Sequence, residues 1–452
     1  MTQSVIFNEI NKCLNFVQSK LSFLKESSLI FQYFDNVVFF FIALTVISGL
    51  FCSTDAIGIC IFFTLFSSVI NILISKEQKF NPKSFDIAIF IFLLISIISM
   101  INSTLPMASL KGLFKTLTYI GFYFSVVQFL SYNKSKIKYF VLLISGCILF
   151  ESIIAIIQNH SNVLPLASWQ DLSKTNPEDV LSRAFGTLKP YNPNLLAAYL
   201  IVGCPLILKL TIDNLYNRVK FPFGLCLMAF LTSLLAIVYT GSRGAYLALS
   251  GILLAIILIT YRFIFVDFNN DFYKKWWKKV VLTGAGIATF LIISTPSILK
   301  RILSIFLLRG DSSTSFRMNV YNSSIEMFLD NPLLGIGLGN TTFREIYGYY
   351  MMSGFDALSA YSIYLETAVE TGILGLLAFL SFLFLLLKPS VKIVLSDVDV
   401  KKKFLVSCCL LSLIGVMVHG LFDTVFYRPQ VQTLFWFMVA ILNVELNNFE
   451  KI

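Results

Sequence analysis

Long apolar runs dominate the chain, and they restrict what it can fold into. A helix needs about 20 apolar residues to cross a bilayer, and about twelve stretches of this 452-residue sequence come close to that length. They cover residues 37–53, 56–75, 85–103, 112–131, 137–157, 193–211, 221–240, 243–263, 280–296, 363–387, 404–424 and 430–446. Inside lipid, every backbone polar group needs an internal partner, so such runs form helices. The sequence therefore predicts an all-α integral membrane protein with about twelve transmembrane helices.

The charge content excludes a soluble protein, and the charge distribution excludes a nucleic-acid-binding one. Only 13% of the residues are charged and 57% are hydrophobic, whereas soluble domains carry about 25% charged residues. The net charge is +10, but the lysines and arginines lie in short loops between apolar runs rather than on one face. The expected surroundings are therefore membrane lipid, with no nucleic acid.

The positions of the basic loops predict the orientation of the chain in the membrane. Every second loop is rich in lysine or arginine, for example around Lys76, Lys134, Arg218, Lys274 and Lys402. Such loops face the cytoplasm. With about twelve spans both termini are then cytoplasmic, and the two long polar loops, 158–192 and 297–362, lie outside. In a bacterium this places the chain in the plasma (inner) membrane with a large periplasmic loop between spans nine and ten.

The same pattern predicts four parts of the chain. Residues 1–35 form a cytoplasmic amphipathic lead-in with no cleavable signal peptide, and residues 36–228 form the N-terminal membrane helices. Residues 229–387 form a core that includes the loop 297–362, and residues 388–452 add a C-terminal helix pair.

Two arginines on the outer side are candidates for binding an anion. Arg243 lies in a Gly-Ser-Arg-Gly turn at the start of a span, where a cation is costly without a partner. Arg317 precedes apolar residues at helical spacing, which predicts an amphipathic outer helix with this arginine in its first turn. A guanidinium binds phosphate or carboxylate through two donors. The alternatives are a snorkelling side chain for Arg243 and a solvated loop residue for Arg317.

The segment after Arg317 is the longest polar interruption. Asn331-Pro332 predicts the end of the amphipathic helix, and Gly335, Gly337 and Gly339 predict a tight turn whose backbone amides could cradle an anion. The motif lacks the strand and helix of a nucleotide-binding loop.

Several other polar residues lie near the ends of spans on the same side. Glu366 and Glu370 share one helix face, as functional carboxylates or as helix-start residues favoured by the dipole. Arg183 enters span six with Asn192 and Asn194, either of which could cap that helix.

The two histidines and the last outer turn complete the candidates. His160 follows span five, and His419 lies inside span eleven, where packing is the more common role. Asp423 and Arg428 bracket the last outer turn, which suggests that they pair. The eight cysteines form no CxxC or His/Cys cluster, so no metal and no cofactor is expected.

These motifs, taken in order, resemble a known family. GSRG, then the Arg317 segment, NPLLGIGLGN and SAYSIYLETAVETGILGLL are similar to the O-antigen ligase/polymerase-like membrane proteins over about residues 229–385. The stretches ALSAYSIYLETAVETG and HGLFDTVFYRPQVQTLFW resemble the cyanobacterial IctB-type subfamily, which is named after bicarbonate transport.

The resemblance implies glycosyl transfer on the periplasmic face. A glycan moves from a polyprenyl diphosphate to an acceptor hydroxyl without metal or cofactor, two arginines hold the diphosphate, and a histidine activates the acceptor. The arginines correspond to Arg243 and Arg317, and Arg183 is a further candidate. Tyr361-Ser362 stands where the family has His-Asn, so Tyr361, Glu366 and His160 are the catalytic candidates. The alternative is an inorganic-carbon transporter, or a helper of one, with bicarbonate at Arg243.

Overall fold

The chain folds into a bundle of helices in a computed structural model that describes residues 2–79, 81–161, 183–267, 271–294, 299, 302–303 and 312–449. Four helices precede the main bundle or begin it: α1 (Thr2–Leu21), α2 (Phe23–Ser27), α3 (Leu29–Gln32) and α4 (Phe34–Phe51). The next are α5 (Thr54–Ile74), α6 (Ser84–Asn102), α7 (Pro106–Tyr132), α8 (Ile137–His160), α9 (Pro193–Tyr216), α10 (Lys220–Tyr239), α11 (Arg243–Arg262) and α12 (Asp271–Ser294). The last are α13 (Ser312–Asp330), α14 (Asn340–Tyr347), α15 (Ile363–Leu395), α16 (Val400–His419) and α17 (Pro429–Phe449).

The protein is an all-α integral membrane protein. Within the described residues 10 helices are long and apolar enough to cross a membrane, namely α4 to α11, α15 and α16. The other two predicted spans, 280–296 and 430–446, coincide with α12 and α17, apart from residues 295–296, which lie outside the described part. No strand occurs in the described ranges.

Three helices form the centre of the bundle. Residues Leu195–Ile207 of α9 are buried without a break, and α16 and α17 are buried on nearly all sides. A helix that is apolar all round belongs inside a bundle. α9 packs against α10 and α16, α7 packs against α17, and α11 packs against α16. The outer helices α5, α6 and α10 expose large apolar side chains on one side, as expected for a surface in contact with lipid.

One end of the bundle, which we call the basic end, gathers lysines from loops that the sequence predicts to be cytoplasmic. The Glu445 carboxylate lies 4.0 Å from the Lys134 ammonium and 3.8 Å from that of Lys402. The lead-in 1–35 also packs here, since the Gln18 side chain donates to the carbonyls of Ile72 near the end of α5 and of Gln78 in the loop that follows it.

The opposite end, which we call the loop-rich end, depends on a break in α15. Gly372 has a φ of 67°, so the helix is interrupted there, and its neighbour Ile373 donates its amide to the Pro332 carbonyl. The segment 332–339 enters the bundle beside the break, and a Cβ on Gly372 would lie only 2.2 Å from the Leu333 carbonyl carbon. Irregular backbone at this depth requires internal partners, and the segment and the broken helix supply them to each other.

Candidate functional site

Arg243 begins α11 at the loop-rich end. Its guanidinium Nη1 donates to the Thr314 hydroxyl of α13 at 2.8 Å, and Ser242 precedes it as the N-cap residue. The N-terminus of a helix carries a partial positive charge, so a cation in this place raises the local positive potential. Thr314 lies three residues before Arg317, which is about one helical turn. α13 therefore joins the first predicted arginine to the second.

Arg317 lies on the face of α13 that is turned toward the last loop of the chain. Its Nη2 is 3.3 Å from Oδ2 of Asp423, which is 8% exposed. The same carboxylate oxygen accepts from the Asn194 amide at 2.7 Å, and Oδ1 accepts from the Val425 backbone amide. Three donors thus fix the position of the Asp423 carboxylate. α13 begins at Ser312, so Arg317 falls in its second turn, and the expectation of the first turn was wrong.

Arg183 reaches the same network from the segment before α9. Its Nη2 donates to Oδ1 of Asn194 at 2.7 Å, and its Nε donates to the Thr240 carbonyl at 2.8 Å. Thr240 follows α10 as its C-cap residue and lies three residues before Arg243. Asn192 caps α9 by accepting the backbone amide of Asn194, as the sequence allows. The Asn194 side chain is therefore available to bridge Arg183 and Asp423.

The three arginines, which we call the arginine cluster (Arg183, Arg243 and Arg317), form one connected arrangement. Thr314 and the Asn194–Asp423 bridge link them, although they lie in three distant parts of the sequence. All three guanidinium groups are half-buried. Within this cluster the Asp423 carboxylate accepts directly from Arg317 and is linked to Arg183 through Asn194. An anion with several oxygens complements such a site.

Two side chains of α8 hold the segment that follows Arg183. Oε1 of Gln158 accepts the backbone amides of Phe185 and Gly186 at 3.0 and 2.8 Å. The buried Glu151 accepts the amide of Thr187 at 3.0 Å and also its hydroxyl. The backbone two residues beyond Arg183 is therefore fixed by hydrogen bonds, which limits how far this arginine can move.

Tyr361 lies against Arg317. The guanidinium carbon is 5.5 Å from the centre of the phenol ring, and the Tyr361 carbonyl accepts from the Tyr321 hydroxyl at 3.2 Å. Burial, with Asp423 adding to it, raises the pKa of Tyr361 to about 12. The phenol is thus neutral near pH 7 and is poorly suited to act as a general base. Its contact with Arg317 is a cation–π interaction that orients the guanidinium.

Glu366 and Glu370 lie deeper, on the first turns of α15. Oε2 of Glu366 accepts the Ala360 amide at 2.7 Å, and Oε1 of Glu370 accepts the Gly339 amide at 2.7 Å. Both side chains are buried. These carboxylates fasten the loops 332–339 and 357–362 to the helix, and none of their described contacts is to the arginine cluster. The catalytic role of Glu366 stays a prediction.

The two histidines lie in different surroundings. His160 is the last residue of α8 and is exposed. Its ring lies 6.0 Å from that of Tyr239, which precedes Thr240, the residue whose carbonyl accepts from Arg183. It makes no described contact with the arginine cluster, so its catalytic role also stays a prediction. His419 is buried, and its Nε2 lies 3.4 Å from the Ser242 hydroxyl. The histidine that the sequence pattern assigns to packing is therefore the one beside the N-terminus of α11.

Two expectations from the sequence are wrong. The amides of Ile336 and Gly337 donate to the carbonyls of Val369 and Glu370, and the amide of Leu338 donates to the Ser109 hydroxyl. The amides of the glycine turn therefore bind carbonyls beside the break in α15 and the Ser109 hydroxyl, so they are not available to bind an anion. Asp423 pairs with Arg317 and Asn194, whereas Arg428 is exposed and forms no described ion pair with Asp423.

Sequence reasoning missed the two residues that connect the cluster. Asn194 was assigned only a possible capping role, and Asp423 was assigned a local partner, yet they meet across 229 residues of sequence. The available signal was a pair of uncompensated polar residues, each at the end of a buried helix, on the side that carries the arginines.

Comparison with known proteins finds a similarity in this part of the chain. No curated protein matches the chain significantly. One family model does match, over residues 228–380, and it describes the O-antigen ligase. The matched range contains Arg243, Arg317, Tyr361 and Glu366 and overlaps the predicted core 229–387. The segment 228–380, which supplies two of the three clustered arginines, is thus similar to the O-antigen ligase family.

Proposed function

We propose that the protein transfers a glycan from a polyprenyl-diphosphate carrier to an acceptor hydroxyl at the loop-rich end, on the periplasmic side of the inner membrane. The observation that carries this proposal is the convergence of Arg183, Arg243 and Arg317 around the Asn194–Asp423 bridge. A diphosphate offers several anionic oxygens to three guanidinium groups, and its polyprenyl chain belongs in the surrounding lipid.

The reaction places its developing charge at these arginines. The bond between the anomeric carbon of the glycan and the diphosphate oxygen breaks, and a bond from that carbon to the acceptor oxygen forms. The electron pair of the broken bond stays on the diphosphate, and the acceptor loses its proton to a base. Guanidinium groups that already face the diphosphate stabilise the leaving group without reorganisation. Our proposal therefore attributes most of the rate enhancement to the arginine cluster.

The base that takes the acceptor proton has three predicted candidates. Tyr361 is the weakest candidate, because its pKa of about 12 keeps the phenol neutral. Glu366 is buried and held by Ala360, whereas His160 is exposed at the end of α8. As a base, His160 is easier for a bulky acceptor to reach, whereas Glu366 lies closer to the loop that contains Tyr361.

Arginine substitutions test the proposal. R243A and R317A should each lower glycan transfer by about a hundredfold or more, the effect of removing one preorganised donor to a developing anion. The readout is transfer from a purified polyprenyl-diphosphate-linked glycan, together with surface glycan in cells. R344A is the matched control, since Arg344 is exposed and pairs with Asp356 on the same side of the membrane. Full transfer by R243A or R317A at normal protein levels would rule out the proposal.

Anion transport is the alternative that the sequence resemblance leaves open. A transporter needs a substrate site that both sides of the membrane can reach. The arginine cluster lies at one end of the bundle, beside the starts of α9, α11 and α15, which favours chemistry at the membrane surface. Uptake of labelled bicarbonate by liposomes that contain the purified protein, above the level of empty liposomes, would instead support the transporter.

A further inference from the structure

A groove between α5 and α7 lies outside the arginine cluster. It has a volume of about 380 Å³ and is lined by Thr54, Asp55, Gly58, Ile59, Phe62, Lys115, Thr118 and Tyr119. Ile59 and Phe62 are 57% and 60% exposed, so this side of the groove faces the acyl chains of the bilayer. The groove contains one lysine and one carboxylate, and both belong to transmembrane helices.

Lys115 has an unusual position for a cation. It lies nine residues after the start of α7, which is about 14 Å along the helix. A helical side chain points back toward the N-terminus, so the ammonium lies closer to the loop-rich end than its Cα does. α7 has 27 residues and is about 40 Å long, whereas the hydrocarbon core is about 30 Å thick, so the first residues of α7 extend beyond the core. The Lys115 ammonium therefore lies near the boundary between the core and the headgroups.

Lys115 has no hydrogen-bond or ion-pair partner within 4.0 Å among the described residues. From a greater distance Arg428 repels the ammonium and Glu370 and Glu366 attract it, but each of these carboxylates already accepts a backbone amide. Lys115 and Tyr119 also line a second cavity of about 80 Å³ that extends inward to Glu370 and Tyr427. The ammonium therefore stands at the mouth of the bundle interior, where an anion from the groove can reach it.

We infer that this groove binds a glycerophospholipid, with the phosphodiester at Lys115 and an acyl chain along Gly58, Ile59 and Phe62. The lysine supplies the charge, and the hydroxyls of Thr54 and Tyr119 line the same space. Asp55 is exposed at the rim and would repel a second negative charge. A phosphodiester with one charge therefore suits the groove better than a diphosphate does. This site is separate from the proposed donor site.

Binding of defined lipids to the purified full-length protein tests the inference. The probes are dioleoyl-phosphatidylglycerol, dioleoylglycerol without phosphate, and inorganic phosphate, with bound lipid counted by native mass spectrometry. K115M should weaken phosphatidylglycerol binding by about tenfold and leave dioleoylglycerol binding unchanged, because it removes one charged contact. K115R should restore binding. The matched control is K111M, which removes an exposed lysine one turn away on the same helix.

A second variant blocks the groove itself. A Cβ added at Gly58 meets no atom within 4 Å and the position borders the groove, so G58L should fold normally while filling the groove and should weaken binding of both lipids. G224L, at a glycine of α10 with equally open surroundings, should bind both lipids as the unmodified protein does. Unchanged phosphatidylglycerol binding in K115M and G58L, equal losses in K111M, or displacement of the lipid by inorganic phosphate would each overturn the inference.

Discussion

At the scale of residues, one carboxylate joins two arginines from distant parts of the sequence. Asp423 accepts from Arg317 and Asn194, and Asn194 in turn accepts from Arg183. A half-buried cation is stable only with such partners, and a carboxylate held by three donors keeps both neighbours in fixed positions. Under the proposed function Asp423 is therefore a positioning residue: it holds Arg317 directly, and Arg183 through Asn194, before a substrate binds.

Tyr361 gives a prediction about pH. Burial raises its pKa to about 12, so below that value the phenol stays protonated and cannot take up an acceptor proton. Y361F should therefore retain transfer within about threefold, whereas loss of a general base would cost a hundredfold or more. Y361A should lose somewhat more, because it also removes the ring that contacts Arg317.

The measurement is the rate of transfer by the purified protein between about pH 6 and pH 9, the range in which general bases operate. Wild type and Y361F should give superimposable pH profiles. A collapse of activity in Y361F, or the disappearance of an inflection that wild type shows, would mean that the phenol takes part in proton transfer.

At the scale of elements, the break in α15 organises the loop-rich end. Gly335 donates within its own turn, and Ile336 and Gly337 donate to carbonyls of α15 on the near side of the break. The segment therefore acts as a substitute for the missing helical turn. These hydrogen bonds attach the loop from Asn331 to Ser362 to α15. The position of Tyr361 against Arg317 therefore also depends on them.

Gly372 tests this arrangement. G372A places a Cβ 2.2 Å from the Leu333 carbonyl carbon and demands a positive φ from alanine, so we expect a loss of about 3 kcal/mol in stability. Thermal unfolding in detergent measures it. G224A is the control, because its surroundings are open, and it should unfold at or slightly above the wild-type temperature, since alanine favours a helix more than glycine does. Equal unfolding temperatures for G372A and wild type would show that α15 tolerates a continuous helix.

At the scale of the whole molecule, the sequence predicted the membrane helices well and the site in part. Apolar runs fix where helices lie, since lipid accepts little else, and ten of the predicted spans appear as long apolar helices. The arginines were found because a charge beside an apolar run is conspicuous. Their bridging partners were not, because Asn194 and Asp423 meet only once α9 and the turn after α16 pack together.

The glycine turn shows a second limit of sequence reasoning. The glycine turn predicts an anion site from its run of backbone amides, but the sequence does not reveal that Gly372 interrupts a helix nearby. The broken helix leaves carbonyls at Val369 and Glu370 without intrahelical donors, and these take the amides of the turn. Tertiary packing decides which acceptor a given backbone N–H group binds.

The central claim is that guanidinium groups from distant segments share one anion, and a double-mutant cycle on binding tests it most directly. The affinity for a polyprenyl diphosphate is measured for wild type, R243A, R317A and the double variant, with R344A and R317A as the control pair. If both arginines contact the same diphosphate, the coupling energy between Arg243 and Arg317 should be about 1 kcal/mol or more, and the control pair should be additive. Additive losses at Arg243 and Arg317, or no loss in either variant, would contradict the account.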